Sequence, residues 1–174
     1  MTDTAILPLV IRPARDGDGD GIADLIARAW SEYPGTVFDR AAELPELDAP
    51  ATHFAALGGA LWVLSAGDGV IKGSVGIAPE TGEAGLWELH KMYLDPGLRG
   101  SGWAARLLAR AEAHAVSAGG CAIQLWTDTR FQAAHRFYEK SGYRRLPGER
   151  VLQDLSASHE YAFRKDLAAG WTRC

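Results

Sequence analysis

The chain has 174 residues, 47% of them hydrophobic and 23% charged, the composition of one soluble globular domain spanning 1–174 that buries a core without disulfide support. A net charge of −4 offers no nucleic-acid footprint, and no window approaches the roughly 20 apolar residues of a membrane span. Cys121 and Cys174 predict neither a disulfide framework nor a metal knot, and the first residues carry no charged, apolar leader, so a reducing cytoplasm is the expected location.

Charge is unevenly spread. Residues 1–68 hold 11 acids and 4 bases (net −7), and residues 69–174 hold 11 acids and 14 bases (net +3). The split fits a cation-attracting half joined to an anion-binding half, and equally two ordinary solvated faces.

In chain order, residues 5–12 predict a strand stopped by Pro13, and residues 16–31 a helix with Ile22, Leu25, Ile26, Ala29 and Trp30 at helical spacing. Pro34, Pro45 and Pro50 limit the next segment to short helices near 40–44 and 51–57. Three strands are predicted at 60–65, 70–78 and 86–94, with Gly67-Asp68-Gly69 and Glu80-Thr81-Gly82-Glu83 as the turns between them. A helix over 100–118 buries Trp103, Ala104, Leu107, Leu108, Ala111 and Ala115 and ends at Gly119-Gly120. A buried strand at 121–127, a helix at 131–141 and strands at 145–154 and 159–164 complete the chain. Early hairpins followed by a crossover imply an α/β (α+β) fold with a mixed, mostly antiparallel central sheet flanked by helices.

The most informative stretch runs from Leu94 through Asp95-Pro96-Gly97-Leu98 and Arg99-Gly100-Ser101-Gly102 into Trp103-Ala104-Ala105. A strand gives way to a glycine-bearing loop that feeds a helix, so unpaired main-chain amides and the helix dipole converge where an anion would sit. Gly100 and Gly102 let the main chain approach a phosphate or pyrophosphate closely. The same residues also fit a plain turn before a helix. The stretch is neither a Walker loop nor a dinucleotide fingerprint.

Arg99-Gly100-Ser101-Gly102-Trp103-Ala104 resembles the R/Q-x-x-G-x-G/A signature of the GNAT superfamily of acetyl-CoA-dependent N-acetyltransferases, with the family's proline at Pro96. Ala134-His135-Arg136-Phe137-Tyr138-Glu139-Lys140-Ser141-Gly142-Tyr143 is similar to its A-x-x-F/L-Y-x-x-x-G-F/Y pattern. One helix and one strand separate the two motifs, as in that family, and the element order resembles the family fold over nearly the whole chain.

The resemblance implies that main-chain amides of Arg99, Gly100, Ser101, Gly102, Trp103 and Ala104 wrap the pyrophosphate of acetyl-CoA, the Arg99 side chain at most covering it. It implies a bulge in the strand before the loop, where Met92, Tyr93 and Leu94 would pair with the pantetheine arm and an amide would meet the oxyanion. Phe131, Ala134 and Phe137 would flank the cofactor, and Tyr138 would be the general acid that protonates the departing thiolate. Without the motif, Tyr138 is one more aromatic on a buried helix face. Glu88, 11 residues before Arg99, stands where some branches keep a catalytic glutamate, and strand alternation puts His90 on the same face. Water is the third candidate for the base, and a surface salt bridge to Lys91 or Lys72 is the alternative role for Glu88.

Phe131 occupies the place of a family asparagine that helps hold the arm, so that contact is either lost or replaced, with Thr127, Asp128 and Thr129 as the candidates to supply the polar group. The run Asp16-Gly17-Asp18-Gly19-Asp20-Gly21 imitates a calcium loop, but its twelfth position is Ala27, and helix-capping chemistry explains it better. No metal is expected.

The first helices of the family wall the acceptor pocket, which makes Trp30, Tyr33, Phe38, Trp87 and His90 pocket candidates here. The implied activity is transfer of acetyl to a primary amine of a small molecule or amino-acid derivative in a ternary complex. A protein N-terminus or lysine is the lesser alternative, and an acyl-CoA-binding sensor or an anion-binding structural protein the competing classes. A homodimer is common in the family.

Overall fold

The computed structural model describes residues 8–167. Among these residues eight strands form a single sheet: β1 (Val10–Pro13), β2 (Ala60–Ser65), β3 (Ile71–Pro79), β4 (Leu86–Leu94), β5 (Ala122–Asp128), β6 (Arg144–Arg145), β7 (Arg150–Val151) and β8 (His159–Asp166). The order is β1-β2-β3-β4-β5-β8-β6, with β7 also on β8. Every pair is antiparallel except β4 with β5. A parallel pair needs a long crossover, and α4 (Trp103–Ser117) supplies it. The remaining helices are α1 (Gly19–Trp30), α2 (Arg40–Glu43), α3 (Pro50–Ala56) and α5 (Gln132–Lys140).

The sheet is buried on both faces at its centre, which is why β2 reads as an unbroken apolar run. Trp62 and Leu64 pack toward α4 with Val75, Ile77, Trp87, Leu89, Ile123, Leu125 and Phe163. Leu61 and Val63 pack the other way, against Ile22, Leu25, Ile26 and Phe54 of α1 and α3. On α4 the buried stripe is Leu107, Leu108, Ala111 and Ala115; Trp103 and Ala104, expected to belong to it, are half-buried at the helix entrance.

Several boundaries differ from expectation, among them the start of the helix expected over 16–31, where Asp16–Asp18 form a 3-10 turn before α1. Pro13 belongs to β1 rather than ending it, since β1 is an edge strand and a missing N–H is tolerated there; residues 5–7 lie outside the described residues. The helix expected over 100–118 starts only at Trp103, behind the loop and a 3-10 turn at Pro96–Leu98. The strand expected over 145–154 is broken into β6 and β7, because Pro147 has no donor and Gly148 takes φ +87°. Among the described residues no cysteine is a free thiol, whereas the sequence pointed to no disulfide framework; Cys174 lies outside them. No described helix is long and apolar enough to cross a membrane.

The calcium-like run is spent on protein contacts. Asp16 accepts from the Thr52 amide and hydroxyl at 2.9 and 2.7 Å, Asp18 holds Arg12 through two 2.8 Å bonds, and Asp20 pairs with Arg40.

Candidate active site

Two departures from regular pairing open the sheet at β4. Ser74 faces Tyr93 and Gly76 faces His90, so Val75 alone stands opposite Lys91 and Met92. That bulge puts Lys91 at φ +49°, and the Ser74 hydroxyl donates to the Lys91 carbonyl at 2.6 Å. The extra residue flips the side-chain parity of the strand. Before it, Trp87 and Leu89 face α4 while Glu88 and His90 face the other side; after it, Met92 and Leu94 join the α4 layer and Tyr93 packs toward α1. On the other edge, β4 pairs with β5 only from Leu86↔Ala122 to Leu89↔Leu125, and β5 then continues with β8 alone. Residues 92–94 are left with a main-chain edge facing a gap.

The loop beyond β4 is organised by Asp95. Its carboxylate accepts from the Gly97 amide at 3.0 Å and from Lys72 Nζ at 3.2 Å, and these contacts hold it below the usual carboxylate range against the opposing effect of burial. Gly100 and Gly102 take φ +74° and +84°, which disfavours any residue with a Cβ, and a Cβ at either would point into open space. The first helical bond of α4 runs from the Arg106 amide to the Gly102 carbonyl. The amides of Gly102, Trp103 and Ala104 therefore have no acceptor within the helix and stand at its positive end.

Two cavities meet here. The first, about 330 Å³, runs from the loop to α5 and is lined by Met92, Tyr93, Leu94, Arg99, Gly100, Ala104, Phe131, Ala134, Phe137 and Tyr138, with Trp30 and Tyr33 opposite. The second, about 290 Å³, lies beyond it over the sheet face of Glu88 and Trp126. Trp30, Met92, Tyr93, Phe131, Ala134 and Tyr138 line both. Tyr138 is buried against Phe137, Tyr143 and Phe163, yet its hydroxyl donates to no group among the described residues. Burial, and then the neighbouring Tyr93, raise its pKa, which keeps the phenol protonated. Tyr93, pushed up to about 12 by burial, accepts a 3.0 Å bond from Trp30 Nε1.

Glu88 and His90 enter the second cavity from one face of β4. Burial, then a hydrogen bond with Glu80, raises Glu88 to about 7. Burial and Lys91 lower His90 to about 4, so its 3.7 Å contact with Glu88 involves a neutral imidazole at neutral pH rather than an ion pair. Lys91 turns to Glu46 and Lys72 to Asp95, so neither makes the salt bridge to Glu88 that the sequence allowed. Because its folded pKa lies above the ordinary value of 4.5, Glu88 binds its proton more tightly folded than unfolded, and its contribution lowers stability as pH rises from 4.5 to 7. Glu88→Gln is expected to melt higher than the parent at pH 8, with the difference vanishing by about pH 4; thermal scans across that range check it.

Most of the residues picked from the sequence converge on this junction. Arg99, Gly100 and Ala104 line the first cavity, and Ser101, Gly102 and Trp103 complete the loop behind them. The Arg99 guanidinium points to Glu32 at the end of α1 instead of lying over the loop amides. Thr127 and Asp128 line the second cavity, and Asp128 is bound to Arg130. Among the pocket candidates Trp30, Tyr33 and His90 line cavities, while Phe38 packs edge-on against Trp30 at 5.8 Å. Trp87 is misplaced: parity turns it toward α4, where it meets His114 at 5.7 Å. Sequence reasoning missed the far wall, built from Trp126, Arg130, Arg150, Asp154, Ser156, Ser158 and Glu160. Alternation along β5 and β8 would have put Trp126 and Glu160 on the Glu88 face, but the expected single strand over 145–154 hid the placement of Arg150.

A profile of the Acetyltransferase (GNAT) family matches residues 22–143. Over 149 residues the chain is 33% identical to the uncharacterized N-acetyltransferase YjgM of Escherichia coli K12, covering 84% of this chain and 88% of that one. It is 40% identical over 73 residues to the uncharacterized N-acetyltransferase Rv2669 of Mycobacterium tuberculosis, covering 42% of this chain and 46% of that one. A GNAT-family acetyltransferase of Staphylococcus aureus Mu50 superposes with a TM-score of 0.78 at 18% identity, over 92% of this chain and 100% of that one. YncA of Salmonella typhimurium, solved with acetyl-CoA, superposes at 0.69 with 16% identity, over 96% and 98%. The chain belongs to the acetyltransferase (GNAT) family and is an acyltransferase of the class that uses acetyl-CoA.

Proposed function

We propose that residues 1–174 form one cytoplasmic N-acetyltransferase domain that moves acetyl from acetyl-CoA directly to a primary amine of a small molecule or amino-acid derivative, with both substrates bound together. The observation that carries this reading is the position of Tyr138, a buried residue lining both cavities whose hydroxyl has no hydrogen-bond partner among the described residues. The first cavity fits coenzyme A in kind: an apolar trough beside a main-chain strand edge, ending at helix-entrance amides suited to a diphosphate.

Acetyl-CoA supplies the thioester. Amides of residues 100–104 hold the diphosphate, and the open edge of residues 92–94 pairs with the amide-bearing arm and directs an N–H at the carbonyl oxygen. Glu88, directly or through water, takes a proton from the incoming ammonium so that its nitrogen can attack the carbonyl carbon. As the C–S bond breaks, Tyr138 gives its phenolic proton to the sulfur, and the proton that the attacking nitrogen sheds on forming the amide restores the phenol. The second cavity is small and lined by polar groups, which favours a compact acceptor.

Thiol release from acetyl-CoA in the presence of a broad amine panel tests the reading, with transfer to at least one small amine as the expected result. Acetyl-CoA binding with no release for any amine would replace it with a sensor. A second expectation concerns the base. The rate should climb through a titration near pH 7, and Glu88→Gln should lower kcat roughly 100-fold and flatten that limb. An unchanged pH profile in the variant would remove Glu88 from the mechanism.

A further inference from the structure

The charges around the second cavity are almost all committed to protein partners. Asp128 holds Arg130 through Nε and Nη2, and the same guanidinium reaches the Ser156 carbonyl and the Ser158 hydroxyl at 3.4 and 3.2 Å. Glu43 accepts the Leu155 amide at 2.9 Å, and Asp154 accepts the Ser158 amide at 2.7 Å. Lys91 is drawn away to Glu46.

Arg150 differs. Its Nε donates to Glu160 at 2.6 Å and its guanidinium lies 4.1 Å over the Trp126 ring, so the plane is fixed from two sides. Neither Nη group donates to anything among the described residues, and the side chain is 42% exposed while lining the cavity. A fixed guanidinium with both terminal nitrogens uncommitted is the geometry that binds a carboxylate or similar oxyanion through two parallel bonds. On the same face of the sheet, Glu88 lines the cavity with Tyr138; its contacts are Glu80 and the neutral His90 rather than a cation, and it lies close enough to Arg150 to feel its charge. A carboxyl group without a cationic partner in contact and a guanidinium fork with both Nη groups uncommitted, in one small cavity, match the two ends of a short zwitterion.

We propose that the acceptor is an α-amino acid or a close derivative that keeps a free acidic group, its acid clasped by the two Nη groups of Arg150 and its amine set between Glu88 and Tyr138. The inference rests on the transferase reading above and names the substrate class of that site. It makes Arg150 a specificity residue: the interaction is present in ground and transition states alike, so its loss should appear mainly in KM.

The test uses the intact protein with saturating acetyl-CoA and reads thiol release for the twenty L-amino acids, their primary carboxamides and 1,4-diaminobutane. At least one amino acid should exceed its own carboxamide by roughly 10- to 100-fold in kcat/KM, through KM. Arg150→Gln should bring that ratio toward one, and Arg150→Lys should restore only part of it, since an ammonium has no fork. The ratio within one variant is insensitive to how much of the protein is folded. Carboxamides or the diamine used as well as the acids, or an unchanged ratio in Arg150→Gln, would overturn the acid subsite and leave the transferase standing. No release with any of these amines would overturn the subsite, while failure across a broader amine panel would overturn the transferase reading too.

Discussion

Replacing Tyr138 by phenylalanine is expected to lower kcat by about 10²- to 10⁴-fold while leaving the KM for acetyl-CoA and the melting temperature nearly unchanged. The separation of the two effects comes from the surroundings of the ring. Its edge and faces are packed by Phe137, Tyr143 and Phe163, contacts that phenylalanine keeps. Its hydroxyl gives up no protein hydrogen bond on removal, so no buried partner is stranded. What disappears is the proton that the phenol carries at the junction of the two cavities. A structural aromatic would behave in the opposite way, with kcat preserved. Steady-state kinetics of both proteins, with circular-dichroism melts alongside, decide between these outcomes.

Gly100→Asp is expected to weaken coenzyme A binding by roughly 10- to 100-fold, and Gly100→Asn to weaken it far less. Gly100 lines the first cavity at φ +74°, and a Cβ there meets nothing within 4 Å. Asp and Asn tolerate the left-handed region better than other side chains, so both variants should keep the loop. They have nearly the same size and differ in charge. A gap between them in calorimetric Kd, narrowing as salt is raised, reports a carboxylate set against a bound diphosphate. Equal affinities would mean that the diphosphate lies elsewhere.

The sequence was most legible where local chemistry alone determines structure. The apolar run of β2 and the nine residues of β4 were bracketed correctly because turn residues close them on both sides. The loop after β4 was legible in kind because its glycines mark a turn before a helix, but its end lies at Trp103 rather than at the expected residue 100. Trp87 is a different case, since plain alternation against Glu88 and His90 already puts it on the α4 side of the sheet. Long-range partners hid the rest. Lys91 adopts its unusual backbone because β3 offers one residue opposite two; the family resemblance implied a bulge in this strand, but nothing around Lys91 itself records the mismatch. The resulting parity change is what sends Met92 and Leu94 to the α4 layer and Tyr93 toward α1. Arg150 reaches the site only because β7 pairs with β8 at Arg150↔Glu160, a register set after Pro147 and Gly148 have broken the strand. Its role depends on Trp126 and Glu160, each on a different strand.

Titrating coenzyme A into the 15N-labelled protein and tracking each backbone amide by NMR tests the central claim most directly. The largest shifts should fall on Gly100, Gly102, Trp103 and Ala104, with a second group at Met92, Tyr93 and Leu94. Shifts centred on any other surface, with the entrance of α4 undisturbed, would contradict it.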